Sequence, residues 1–206
     1  MKKALCAILV LSLITVAICA CSAEPREVDD GDYGKTVYAC ISFEKYGDVY
    51  IEMYPDIAPV TVDNFIENAN SGLYTDTVIH WIGKDFGIQG GDPTGTGYGL
   101  EGQKTIKGEF SKNGVSNKIS HIRGTVTMAR ASGYDSATSQ FMILVSDETY
   151  LDGKYAAFAR VVSGMDVIDE VASIETSEES YYRPAEDVVI AGITIYEYLP
   201  EGVILD

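Results

Sequence analysis

The segment "IHWIGKDFGIQGGDPTGTG", residues 79–97, decides how the chain is to be read. Ile88-Gln89-Gly90-Gly91-Asp92 places a polar amide and two glycines on an otherwise apolar run. Residues 75–92 have strand character and lead into a long glycine-rich loop, "GDPTGTGYGLEGQ" (91–103). On the N-terminal side, "APVTVDNFIENANSGLY" changes period. Val62, Phe65, Ile66 and Ala69 fall at i, i+3, i+4 and i+7, one helical face. Pro59 suits the first helical turn and Gly72 its C-terminal stop. Further out, "TVYACISFE" and "GDVYIEMYP" are β-rich runs joined at "KYG", a hairpin signal. In the second run, Val49, Ile51 and Met53 alternate with Tyr50, Glu52 and Tyr54.

On the C-terminal side, "GTVTMARAS", "SQFMILVSD" and "AAFARVV" read as three more strands. "GMDVIDEVAS" is a short helix with Met165, Ile168, Val171 and Ala172 on one face, and "DVVIAGITIYEYL" is a final strand. Many short strands with two isolated helices predict a mainly β fold, a closed or nearly closed barrel with helices over its ends.

The 206 residues allow one domain plus extensions, and 46% hydrophobic content is enough for a core. A formal charge of −16 and a pI near 4.4 argue against nucleic acid, whose phosphates demand basic patches. Residues 1–20, "MKKALCAILVLSLITVAICA", carry a basic start, an apolar stretch and a small Ala20 before Cys21, the pattern of a secretory signal. The "ICAC" ending resembles a bacterial lipobox with Cys21 as the acylated residue. The protein is therefore expected to be exported and anchored by lipid on the extracytoplasmic side of a bacterial envelope. Residues 21–36 read as a lipid-anchored flexible linker. Asp29, Asp30 and Asp32 in it lack the spaced oxygens and final Glu of a calcium loop. The domain is expected over 37–199, with a tail at 200–206. With the signal removed and Cys21 acylated, Cys40 is the remaining thiol and cannot form an internal disulfide.

Several motifs lead nowhere. "GYGLEG" (97–102) matches G-x-G-x-x-G but follows a loop and does not open a helix, so the dinucleotide reading fails. His80, His121 and one cysteine are too few for a common zinc site. Ser120-His121 has neither nucleophile elbow nor orienting acid and reads as a loop histidine. His80 reads as a hydrogen-bonded core residue.

The segments "APVTVDNF", "FGIQGGDPTGTG", "GTVTMARA", "SQFMI" and "YLDGKYAAFARVVSGMDVID" occur in this order. Together they resemble the cyclophilins, the peptidyl-prolyl cis-trans isomerase family, over roughly residues 37–199. The resemblance implies an eight-stranded closed antiparallel barrel capped by two α-helices, with neither cofactor nor metal. It implies binding of proline-containing segments, here of exported proteins. Phe86 matches the floor of the family's proline pocket, and Gln89 the glutamine that hydrogen-bonds the substrate backbone. Ala129, Gln140 and Leu151 match groove residues. Met142 stands for a phenylalanine, Gly87 for a methionine, Tyr150 for a tryptophan and Tyr155 for a histidine.

Trp81 is the serious departure, for it stands where the family has its catalytic arginine. An X-Pro bond rotates over a barrier of about 18–20 kcal/mol, and the enzyme must bind the twisted amide better than either planar form. In the family, the arginine hydrogen-bonds that twisted amide. A neutral indole has one N–H donor and no charge, and losing one positioned donor costs roughly 10²–10³ in rate. Two expectations follow: an isomerase of lowered activity in which Trp81 and Gln89 carry what catalysis remains, or a cyclophilin-fold module that binds proline-containing or unfolded segments without turning them over. Arg130 is a second cation beside Ala129, in a place where the family often has one already.

Overall fold

The computed structural model describes residues 34–206 except 178 and 180. The expected signal peptide, the lipidated Cys21 and nearly all of the linker lie outside these residues. The chain runs β1 (Val37–Phe43), β2 (Gly47–Met53), α1 (Pro59–Asn70), β3 (Thr77–Val78), β4 (Trp81–Gly83) and β5 (Gly87–Gly90). It continues with β6 (Thr125–Met128), β7 (Phe141–Leu144), β8 (Ala157–Ser163), α2 (Met165–Ala172) and β9 (Val189–Tyr196). One-turn 3-10 helices occupy Ser111–Asn113 and Thr149–Leu151.

The expected mainly β fold with two helices is present, but the closed eight-stranded barrel is not. The sheet is an open, curled, all-antiparallel one of nine strands, ordered β3-β9-β1-β2-β8-β6-β7-β5-β4. The difference arises within residues 77–83. Thr77 and Val78 pair with β9, whereas Trp81–Gly83 pair with β5. Between them, Ile79 N–H donates to Val188 O at 2.9 Å and His80 N–H to Gln89 O at 3.1 Å, bonds to two different neighbours. One expected strand thus becomes two, and these are the unpaired ends of the sheet.

The core follows from alternation. Val49, Ile51 and Met53 are fully buried, as the two-residue period requires. Phe65 on α1 packs against the rings of Tyr74, Phe141 and Phe158 at 5.2, 5.5 and 5.2 Å between centroids. Ile168, Val171 and Ala172 bury the inner face of α2.

The start of α1 depends on a residue far away in the chain. Pro59 sits at the first turn, and no side chain of the preceding residue caps the helix. Instead the buried carboxylate of Glu109 accepts from Val60 N–H (3.1 Å), Thr61 N–H (2.8 Å) and the Thr61 hydroxyl (2.7 Å). A carboxylate there satisfies orphan donors and meets the positive end of the helix. Glu109→Ala is expected to lower unfolding free energy by about 3 kcal/mol, the scale of buried hydrogen bonds to a charged acceptor. Denaturant titration checks this, and a change under about 0.5 kcal/mol, the range of ordinary surface substitutions, would refute it.

Candidate functional site

Two side-chain rows cross β4, β5, β7 and β6. The register pairs Ile82 with Ile88, Ile143 and Val126, all buried in the core. The alternate register pairs Trp81 with Gln89, Met142 and Thr127, on the opposite, outward face. Of this outer row, Trp81 and Gln89 reach the surface, whereas Met142 and Thr127 are buried beneath it.

Trp81 is half-buried, while its neighbours His80 and Ile82 are buried. Its ring meets Phe86 edge to face at 5.6 Å and Tyr182 at 6.4 Å. The indole lies over Gly83, where any side chain carbon would collide with it. Phe86 sits in the turn between β4 and β5, with its N–H on Gly83 O at 2.9 Å and its carbonyl accepting from Val145 N–H at 2.9 Å. Gly87 is equally constrained, because a Cβ there would run into the backbone of β7.

Gln89 is the hub of a polar chain. Its Nε2 donates to Gln140 Oε1 at 2.8 Å and lies 3.3 Å from His80 Nε2. Gln140 Nε2 in turn donates to Gly97 O at 3.2 Å. Burial holds the His80 imidazole below its usual pKa, and the nearby Arg183 charge adds to this, while Asp92 opposes it. His80 is therefore neutral at neutral pH and its Nε2 accepts from Gln89. With both amide hydrogens engaged, Gln89 presents its carbonyl oxygen as an acceptor for a peptide N–H.

Two cavities meet at Gln89. One of about 210 Å³ is lined by Ala129 and Gln140 together with Tyr98 and Arg130. The other, of about 330 Å³, is lined by His80, Trp81, Tyr98, Tyr181 and Arg183. Phe86, Met142, Tyr150, Leu151 and Tyr155 line neither. Met142 and Leu151 are buried at 7% and 6% exposure, outside both apolar core clusters. Tyr150 is exposed, with Lys154 Nζ 5.9 Å from its ring. Tyr155 lies under Arg130, whose guanidinium also stands over Phe110 and Tyr134. Arg130 Nε and Nη2 donate to Lys154 O, and Nη1 to Ala131 O. That bonding fixes Arg130 as a structural cation at the rim.

Three residues of this region were not read from the sequence as part of a site. His121, read as a loop histidine, is 1% exposed. Its ring Nδ1 lies 2.8 Å from Asp152 Oδ1 and its Nε2 3.1 Å from the Thr127 hydroxyl. Burial keeps its pKa low, against the pull of Asp152. The neutral ring thus donates to Asp152 and accepts from Thr127, pinning the segment that carries Tyr150, Leu151 and Tyr155 beside the outer row. Asp92 is fully buried and gathers Thr94, Gly97 and Gly99 N–H groups at 2.8, 2.6 and 3.1 Å. Gly97 and Gly99 of "GYGLEG" thus turn to the chain's own carboxylate, not to a phosphate. The turn residues around Asp92 were a usable signal. His121 and Arg183 gave none, since their partners are distant in sequence.

The family model for cyclophilin type peptidyl-prolyl cis-trans isomerase matches residues 38–195. The chain is 38% identical over 162 residues to peptidyl-prolyl cis-trans isomerase B of Escherichia coli, covering 74% of this chain and 96% of that protein. It is 36% identical over 156 residues to peptidyl-prolyl cis-trans isomerase A of Dickeya dadantii, covering 72% and 80%. A cyclophilin type isomerase from Cryptosporidium parvum superposes with a TM-score of 0.71 at 28% identity, covering 80% of this chain and 99% of that one. The same Cryptosporidium protein, crystallised in the presence of the dipeptide Ala-Pro, gives 0.69 at 29% identity, covering 77% and 98%. With its nine-stranded sheet, two helices and outward groove, the chain belongs to the cyclophilin-type peptidyl-prolyl cis-trans isomerase family.

Proposed function

We propose that the protein interconverts cis and trans X-Pro bonds in segments of exported proteins, at a rate lowered by Trp81. The observation that carries this reading is the outer row Trp81–Gln89–Met142. In that row the Gln89 amide stands between the apolar side chain of Met142 and the indole of Trp81, the position at which the resemblance expects a charged donor. In this reading the apolar side chains beside Gln89 take the ring, Gln89 orients the backbone, and exclusion of water weakens the planar amide's resonance. Without a cation, the twisted amide receives less stabilisation than in arginine-bearing relatives. Tyr98 and Gln140 flank the same place, so a bound segment crosses the polar chain at Gln89.

The edge-to-face contact of Trp81 with Phe86 favours a second reading, a module that holds proline-containing segments without turning them over. A protease-coupled proline assay run beside peptide titration separates the two. Binding with measurable turnover supports the isomerase, and binding with no turnover above the uncatalysed rate supports the module. Neither binding nor turnover overturns both.

We further propose that the chain is made as a lipoprotein, with residues 1–20 removed and Cys21 acylated, and faces away from the cytoplasm. The support is the apolar run ending in "ICAC". Cys21→Ser is expected to abolish incorporation of labelled fatty acid, and unchanged labelling would sink the assignment.

A further inference from the structure

The hydrogen bonds that meet at Gln89 run in one direction, and a backbone carbonyl sets it. Gly97 O can only accept, so Gln140 turns its Nε2 toward it, at 3.2 Å. Gln140 Oε1 then faces Gln89 and takes a bond from its Nε2 at 2.8 Å. The second hydrogen of that amide points to His80 Nε2, 3.3 Å away, and Gln89 Oε1 is left free of these bonds as the outward acceptor. The link to His80 is the longest of the three. It requires an unprotonated Nε2, because an imidazolium carries N–H on both ring nitrogens.

His80 is 7% exposed and lines the 330 Å³ cavity, so protons from solvent reach the ring. The groups around it come from three elements. β5 presents Gln89, the glycine-rich loop presents Asp92 and Tyr98, and the segment between α2 and β9 presents Tyr181 and Arg183. Gly97 lies so close that a Cβ there would stand 3.2 Å from the ring's Cδ2, and the ring cannot turn away on that side. Asp92 favours the charged ring, whereas burial and the Arg183 charge oppose it, and the balance leaves the imidazole neutral near neutral pH.

We propose that His80 is a positioning residue for Gln89: its unprotonated Nε2 holds the amide with the carbonyl outward, and a proton taken up there releases it, so that the groove binds a proline-containing segment less tightly in acid. The proposal rests on the groove reading given above. Once Nε2 carries a proton, two donors face each other across the 3.3 Å gap. Gln89 then either swings away from His80 or turns its amide over. A turned amide meets Gln140 oxygen to oxygen and offers a donor to the segment's own N–H. Gln140 cannot follow, for its own turn would set two oxygens against each other at Gly97. Both outcomes remove the acceptor that orients the bound segment. His80 acts through Gln89 alone and touches no part of the segment.

The test uses the full chain and an end-capped peptide with one central proline, no titratable side chain and a pH-insensitive fluorophore. Binding is followed by anisotropy from about pH 8 to about pH 4.5, a span that covers imidazole titration, with the fold checked at each pH by circular dichroism. Affinity is expected to be constant at the alkaline end and to fall about five-fold or more in acid, with the slope of one proton, since one lost hydrogen bond is worth roughly that factor. His80→Gln, whose amide oxygen falls close to the place of Nε2 and does not titrate, should keep the alkaline affinity and flatten the profile. His80→Leu should bind weakly at every pH. In the unmutated protein, saturating peptide should lower the imidazole pKa read by NMR, because coupling between two sites is reciprocal. If the peptide binds with a flat profile, or if its pH dependence persists in His80→Gln, the positioning role is wrong and the groove reading stands. An imidazole pKa that the peptide leaves unchanged also overturns it. If neither variant folds, the pH profile and the NMR titration of the unmutated protein still decide. If the peptide binds at no pH, the groove reading fails and takes the positioning role with it.

Discussion

Replacing Trp81 with arginine is expected to raise turnover on X-Pro peptides at least ten-fold. One positioned donor at a transition state is worth roughly 10²–10³ in rate. Part of that is expected to be withheld, because the resemblance sets Gly87 and Met142 where the family carries a methionine and a phenylalanine. The local geometry accepts the change. Position 81 is half-buried on the outward row, so a guanidinium keeps contact with water. The loss is the edge-to-face contact with Phe86 and the wider one with Tyr182, about 0.5–1.5 kcal/mol for a well-formed aromatic pair. An arginine stacked on Phe86 recovers some of it. The substitution should therefore act on kcat/KM with little change in unfolding midpoint. Two results refute this account. Unmutated turnover equal to that of arginine-bearing relatives would mean another group supplies the donor. A folded, peptide-binding Trp81→Arg variant with no gain would mean the pocket itself no longer holds the twisted amide.

What the sequence shows depends on how local the cause is. The helix expected within residues 58–74, α1 at Pro59–Asn70, was legible because Val62, Phe65, Ile66 and Ala69 repeat at helical spacing; Val62, Phe65 and Ala69 are buried as that spacing demands and Ile66 is half-buried. Its stop was legible too, since Gly72 adopts a left-handed φ of 76° just past the helix. The β1–β2 hairpin followed from alternation and the short turn, with Phe43 opposite Gly47. The split of residues 77–83 was not legible. Nothing in "TVIHWIG" says that its first half faces β9 and its second half β5, because both neighbours lie far along the chain. The same limit hid Glu109 beneath α1 and His121 against Asp152, contacts that span 48 and 31 residues. Likeness to a known pattern aligned Trp81 with an arginine, but only the folded structure brings Arg183 to the cavity beside it.

Asp92→Ala is expected to cost about 3–5 kcal/mol and to loosen the groove as well as the fold. The Asp92 carboxylate accepts three backbone N–H groups and the Thr94 hydroxyl, at 2.6 to 3.1 Å. Removing it leaves those donors without their acceptor inside the loop, and hydrogen bonds to a charged group are each worth about 1.5–3 kcal/mol. The full sum is not lost, because water reaches the loop once it opens. Burial by itself would raise the Asp92 pKa, but the bonds from Thr94, Gly99 and Gly97 outweigh it and hold the group below its ordinary value. The sign of the pH effect follows. The folded state binds the proton less readily than the unfolded chain, so this stability is complete above the unfolded pKa of about 3.9 and is lost as pH falls through the lower folded value. Unfolding midpoints of the unmutated protein should therefore drop below about pH 4, and the Asp92→Ala variant should show less of that drop. Gly97 and Tyr98 line both cavities at Gln89, and Gln140 is bonded to Gly97. A loop released from Asp92 thus takes the polar chain of the groove with it, and peptide affinity should fall along with stability. Equal acid sensitivity in the two proteins, or a variant with unchanged midpoint and unchanged peptide affinity, would show that the glycine-rich loop holds its shape without this carboxylate.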